Sequence, residues 1–360
     1  RVKQIIFIFN HGRSKRLKSD ANGPKEFFYT FNYFKRDNRN VDLLEANTNS
    51  SYLFKYVFKI LRKISKLPIF SENFFQFKKI NKILKSDQII STNQNLSFSI
   101  LPILVIRKLF SNFELYTFAM GLLELSNQKV INKIMINIFY NLSHKVIFIS
   151  KNEFNQACIS FPNFKHKFIY IPFGVDQQYW KLEDPKIKNK ELLFIGNDSN
   201  RDFDFLLKLA TKMIDFKFTI ITERLKDIDL PNVRLINGNW NKQILEDDEI
   251  KKFYNKSFLT LLPLKNSFQP SGQSVCLQSL SMETPVIITK TQGFWDSENF
   301  RNNENIFFCN ENDIDEWVEK IKDIYEGNHD YLEISKKGRE LIEEKFNLDK
   351  MYNLVSDLVN

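Results

Sequence analysis

One rhythm constrains this chain more than any other feature. A short apolar run is followed by a longer amphipathic stretch, and the pair recurs from end to end. The apolar runs fall at 3–9 (KQIIFIF), 41–46 (VDLLEA), 87–91 (DQIIS), 114–119 (ELYTFA), 145–149 (KVIFI) and 168–172 (FIYIP). A second series falls at 192–196, 217–222, 233–236, 258–262, 285–289 and 305–308. Each is too short for a helix and too uniformly apolar for a strand with one wet face, so each reads as a buried strand.

Helical periodicity fills the intervals, at 24–36, 51–66, 71–85, 96–111, 127–142 and 151–160, then at 202–214, 248–255, 272–282 and 313–326, with two more at 330–345 and 348–359. Strands that alternate with helices predict parallel sheets covered on both faces. The order runs twice. The expected fold class is therefore α/β, with two Rossmann-like, doubly wound domains facing across a cleft. The expected boundaries are 1–172, 173–345 and a C-terminal helix 346–360 that crosses back to the first domain. The linker lies in PFGVDQQYWKLEDPKIKNK (172–190), where Pro, Gly and charge cluster. In such sheets ligands sit beyond the carboxyl ends of the strands.

Charge separates the halves. Residues 1–170 carry 27 Lys and Arg against 10 Asp and Glu, whereas 171–360 carry 25 against 33. This asymmetry suggests different partners for the two domains. Three scattered cysteines and four dispersed histidines form no metal-ligand pattern and predict a reducing compartment without structural zinc. No apolar run reaches the ~18 residues of a bilayer span; LSFSILPILVIRKLF (96–110) is interrupted by Pro102 and Arg107. No recognised module accompanies the positive charge, so nucleic acid is not expected as a partner. The expected location is cytoplasmic, peripheral to the inner face of the membrane.

QPSGQSVCLQSLSMETPVIITK (269–290) reads as a turn, a helix and a buried strand. A helix N-terminus offers free N–H groups and partial positive charge, which suit phosphate. Ser271, Gly272, Gln273 and Ser274 stand at that turn, with Gln269 just before it. The same residues also read as a plain capped helix with Ser271 at the N-cap.

Three segments together resemble the GT-B glycosyltransferases of the family-4-like group: IYIPFGVDQQYW (169–180), LLFIGNDSNRDFDFLLKLA (192–210) and PSGQSVCLQSLSMETPVI (270–287). The resemblance spans both halves and is stronger in the second. It departs from the family where Pro270 and Gln278 occupy positions of signature glutamates and Glu283 that of a glycine. It implies a nucleotide-sugar donor, UDP- or GDP-linked, held by 269–274, with Gln278 toward the ribose; by itself Gln278 also reads as a surface helix glutamine. It implies catalysis by cationic side chains, without metal or cofactor and with retention of stereochemistry. Arg201 aligns with a family lysine and is the expected catalytic cation. Asn197 aligns with its partner arginine, and Gly196 forms the turn before it. Asp198 and Asp202 flank Arg201, which alone reads as an exposed ion-pair cluster. The base is expected near 222–224 and the loop after 233–236, with Asn239 and Trp240; Trp240 also reads as a side chain packed on its own domain. His11, Gly12, Arg13 and Lys15 follow the first strand and are expected on the acceptor side. Ser150 and Glu153 read as a capping box.

Two first-half helices carry basic stripes: Lys55, Lys59, Arg62 and Lys66 beside Leu53, Val57, Ile60 and Ile64, then Lys78, Lys82 and Lys85 backed by Phe74 and Phe77. Such stripes suit an anionic bilayer surface or helices packed on their own sheet with the lysines in water. The leading expectation is sugar transfer from the nucleotide donor to a glycan or lipid-linked acceptor. A sugar-nucleotide epimerase and a non-catalytic binder of nucleotide sugar or glycan stay open beside it.

Overall fold

A computed structural model describes residues 3–19, 22–47, 52–126, 130–185, 189–238 and 244–360. The chain divides into two compact units. One comprises residues 1–21, 28–172 and 352–360; the other comprises 22–27 and 173–351.

The first unit holds a six-stranded parallel sheet of β1 (Ile5–Phe9), β2 (Val41–Glu45), β3 (Gln88–Ser91), β4 (Glu114–Ala119), β5 (Lys145–Phe148) and β6 (Phe168–Tyr170), in the order β2-β1-β3-β4-β5-β6. Its helices are α1 (Arg13–Ser19), α2 (Phe31–Arg36), α3 (Tyr52–Ser65), α4 (Phe77–Lys85), α5 (Gln94–Lys108), α6 (Leu122–Leu125), α7 (Val130–Leu142) and α8 (Lys151–Ser160). β1 and β3 are buried throughout, as expected of a sheet covered on both faces. The Phe7 ring meets Phe31 and Phe34 of α2 edge-on, with centroids 5.6 and 5.4 Å apart.

The second unit repeats the plan with β7 (Glu191–Ile195), β8 (Lys217–Ile221), β9 (Val233–Ile236), β10 (Leu259–Leu262), β11 (Val286–Thr289) and β12 (Phe307–Cys309). Their order is β12-β11-β10-β7-β8-β9, again all parallel. α9 (Phe203–Lys212), α10 (Asp247–Lys256), α11 (Gln273–Ser281), α12 (Ile314–Glu326), α13 (Tyr331–Lys345) and the start of α14 (Leu348–Val359) complete it. The order reverses between β10 and β7, so the loops after these strands, 196–202 and 263–272, emerge side by side at the switch point.

Several boundaries differ from expectation. The stretch 24–36 is a 3-10 turn (Glu26–Phe28) followed by α2, because Tyr29 takes a left-handed φ of 52°. The stretch 71–85 divides at Gln76, whose extended backbone separates the 3-10 turn Ser71–Asn73 from α4. The loop after β1 contains α1. Residues 22–27 belong with the second unit, and the division near the C-terminal helix falls after Met351.

Candidate functional site

The site is built in the second unit where β7 and β10 end. Gly196 closes β7, and the side chain of Arg201 folds back across it: a Cβ on Gly196 would lie 2.3 Å from Arg201 Nε. On the other side stands Gly272, where a Cβ would lie 2.6 Å from Arg201 Nη1. Two glycines 76 residues apart therefore make the slot that holds the guanidinium. Arg201 is only 3% exposed, so it is not part of an exposed ion-pair cluster. Its Nε lies 2.8 Å from Asp198 Oδ2, but the N–H does not point along that line and makes no hydrogen bond. Nη1 is likewise without a hydrogen-bond partner among the described residues. Asp202 is engaged elsewhere: it caps α9 by accepting from the Phe205 amide at 3.1 Å.

The helix beside this cation has an unusual start. The N-cap of α11 is Gly272, with φ +79°, and no side chain among the described residues caps it. Ser271 is not the cap; its hydroxyl accepts from Asn200. The Gln273 amide turns to the Pro270 carbonyl (3.3 Å) and the Cys276 amide to Gly272 (2.8 Å). The amides of Ser274 and Val275 have no acceptor among the described residues. Free N–H groups, the positive end of the helix dipole and a buried guanidinium thus converge. Two buried guanidinium N–H groups without hydrogen bonds among the described residues are costly, and a bound anion would satisfy them.

Asn200, which stands at no motif position, holds the turn in shape. Its Nδ2 lies 3.2 Å from Ser267 Oγ, 3.1 Å from Gln269 Oε1 and 3.0 Å from Ser271 Oγ. Gln269 and Ser271 are therefore joined directly to the 196–202 loop. The only signal in the sequence is its place next to Arg201 in NDSNRD.

Asn197 does not partner Arg201. It ties together the neighbouring strand ends, donating to the Gly238 carbonyl (2.8 Å) and accepting from Thr222 Oγ1 (2.9 Å) and the Glu223 amide (2.7 Å). Beside it lies a cavity of about 500 Å³ lined by Thr222, Glu223, Leu225, Lys226, Asp227, Leu235 and Asn237. Asn239 and Trp240 lie outside the described residues.

Gln278 is 1% exposed and faces inward. Its Nε2 donates to Glu26 Oε1 at 2.8 Å and its Oε1 accepts from the Tyr254 hydroxyl at 3.1 Å, so both ends of the amide are engaged inside the fold and turned away from any ribose at the surface. Glu26 also accepts from Trp180 Nε1 (2.6 Å) and from the Asp176 amide (3.2 Å). Burial raises this carboxyl to about 7 against those bonds, which favour the ionised form. Nothing in NGPKEFF marks Glu26, since its partners lie at least 150 residues away.

In the first unit, His11, Gly12, Arg13 and Lys15 follow β1. Gly12 has φ +98° and its carbonyl accepts from the Arg16 amide (3.1 Å), opening α1. Burial pushes the Tyr29 hydroxyl up to about 12, with Arg13 opposing. Ser150 caps α8 by accepting from the Glu153 amide at 3.3 Å. The Glu153 carboxylate, however, reaches the amides of Gly121 (2.9 Å) and Leu123 (3.2 Å) instead of completing a capping box. Among the described residues no group of three His, Cys, Asp or Glu is arranged to hold a metal.

Comparison with known proteins bears on the family and the fold. The family described as Glycosyl transferases group 1 matches residues 189–327. A protein of Haemophilus influenzae named as an uncharacterized glycosyltransferase is 26% identical over 175 residues, covering 46% of this chain and 48% of that one. The chain thus spans about half the length of that curated relative. Sucrose-phosphate synthase from Thermosynechococcus elongatus superposes with a TM-score of 0.72 at 12% identity, covering 99% of this chain and 98% of that one. Anabaena HepE, solved with UDP and glucose, superposes at 0.66 with 12% identity over 99% of both chains. A glycosyltransferase from Rickettsia africae gives 0.66 at 14% identity, over 99% and 97%. Residues 189–327 of the second unit therefore match the Glycosyl transferases group 1 family, in a chain with the two-unit α/β fold of GT-B glycosyltransferases.

Proposed function

We propose that the chain transfers a sugar from a UDP- or GDP-linked donor to a glycan or lipid-linked acceptor, with retention of stereochemistry, at the inner face of a membrane. One observation carries the donor side: among the described residues Arg201, buried between Gly196 and Gly272, leaves Nη1 without a partner beside an N-terminus of α11 that no side chain caps. A diphosphate is the anion of the right chemistry for that place. Its oxygens would accept from the Ser274 and Val275 amides and pair with the guanidinium. As the glycosidic bond breaks, negative charge grows on the leaving diphosphate, and fixed donors stabilise it without reorganising. That role needs no metal. The base would occupy the cavity beside Asn197, and the complex of Anabaena HepE with UDP and glucose supports a uridine donor. His11, Gly12, Arg13 and Lys15 are proposed to serve the acceptor.

The test is a thermal-shift screen of UDP, GDP and their sugars, followed by transfer and hydrolysis assays. Ligand at ~100 times its Kd should stabilise the fold by about 2.7 kcal/mol. Arg201→Ala should keep the fold and lower kcat about 100- to 1000-fold, the usual loss of a preorganised donor. Absence of a shift with every nucleotide would defeat the diphosphate assignment. Binding without turnover would favour the non-catalytic reading, to which Pro270 and Gln278 lend support, and interconversion of the donor sugar would favour the epimerase.

A further inference from the structure

The basic helices of the first unit behave differently from one another. On α4, Lys82 pairs with Asp42 (3.3 Å) and Lys79 donates to the Glu45 carbonyl (2.6 Å), so these charges are bound to the protein. Phe77, expected to back that stripe, is 85% exposed. On α3 the inward face is Phe58 with Leu61 and Ser65, while Arg62 turns aside to Glu72 (2.8 Å) and to the Ile69 carbonyl (2.7 Å). Lys66 lies beyond the helix end.

What remains is a surface with two flanks. At ~3.6 residues per turn, Tyr56, Val57, Ile60 and Ile64 line one flank, and Lys55, Lys59 and Lys63 line the other. The apolar four are 64, 50, 44 and 43% exposed. The three lysines are exposed and have no acidic partner among the described residues. α7 packs on α3, with Asn132 Nδ2 donating to the Ser65 carbonyl at 2.9 Å, and brings exposed Val130, Ile131, Lys133 and Ile134 alongside. Neither helix contains an acid. Between Glu45 and Glu114 the chain has eleven Lys and Arg against two acids, Glu72 and Asp87, and both acids are engaged. The helix is also too short and too charged to cross a bilayer.

We propose that the outward side of α3, extended by the start of α7, rests on an anionic lipid surface, with Tyr56, Ile60 and Ile64 in the headgroup layer and Lys55, Lys59 and Lys63 against the lipid phosphates. Water-exposed aliphatic side chains next to unpaired lysines match the two components of interfacial binding, apolar burial and attraction to anionic headgroups. Positive charge in the absence of acids selects lipid over a second copy of the chain, which would oppose like charge to like. The assignment identifies the surface behind the membrane-face reading proposed above and rests on that reading for its purpose.

The experiment is sedimentation of the full chain with vesicles of phosphatidylcholine alone and with ~30 mol% phosphatidylglycerol added, at low and high salt, with no donor present. Binding should require the anionic lipid and weaken in high salt, where the Debye length falls to ~3 Å at 1 M. Each lysine of the three changed to Gln should weaken it about fivefold, and Ile60→Glu with Ile64→Glu should abolish it while circular dichroism stays unchanged. Equal binding to neutral vesicles, no binding, or full binding by both variants would overturn the proposal. A lipid-free dimer dissolved by the double variant would assign the face to a second copy and overturn it too. Vesicle binding as expected, together with no nucleotide response in the thermal-shift screen, would uphold this surface and defeat the donor reading alone.

Discussion

At the scale of the residue, the site depends on what is missing. Gly196 and Gly272 lack side chains where Arg201 needs to lie, and Gly272 alone combines this with a left-handed backbone. Gly272→Ala would strain the backbone by about 1 kcal/mol and push a methyl group to 2.6 Å from Nη1. We expect a lower melting temperature and at least tenfold weaker nucleotide binding by calorimetry. A variant that binds as tightly as the parent would show that the slot is not required. The glycine at 272 was visible in the sequence. Its partnership with Arg201 was not, because the slot exists only once β7 and β10 are adjacent.

At the scale of the element, most strands could be read directly because they are continuous apolar runs enclosed on both faces, with β9 the most solvent-exposed in the second unit. Helix ends were harder. α11 looked like a serine-capped helix, but Asn200 claims that hydroxyl and a glycine takes the cap. The segment 22–27 was illegible as a piece of the second unit, since Glu26 meets Asp176, Trp180 and Gln278 only through tertiary folding. Here the pH consequence can be worked out. The Glu26 carboxyl titrates near 7 in the fold against an ordinary 4.5. The folded state therefore binds more protons between those values, and stability declines as pH rises through that window. The change amounts to about 3 kcal/mol. Glu26→Gln should flatten its share of the slope in denaturant melts between pH 4.5 and 7. An identical slope would mean that Glu26 is not protonated in the fold.

At the scale of the whole molecule, the repeat of strand and helix was enough to foresee two sheets, and the reversal of strand order brought the two loops of the site together. The first unit nevertheless draws on residues distant in sequence. Tyr352 is 7% exposed, meets Phe34 edge-on at 5.4 Å and bonds to Asp37. Arg39 Nη2 donates to Ser356 Oγ (2.7 Å) and Gln88 Nε2 to the Val359 carbonyl (2.6 Å). Tyr352→Ala should cost about 3 kcal/mol, read as an earlier loss of the first unit in thermal unfolding. Unchanged unfolding would show that 352–360 contributes little there.

That dependence has a consequence for how the protein is made. Residues 28–172 leave the ribosome about 180 residues before 352–360 do. At ~5–20 residues per second the nascent first unit waits roughly 10 to 40 s with the Phe34 surface uncovered. Over that interval it is a client for whatever shields apolar surface in the cell, and a faster-translated message would shorten the exposure.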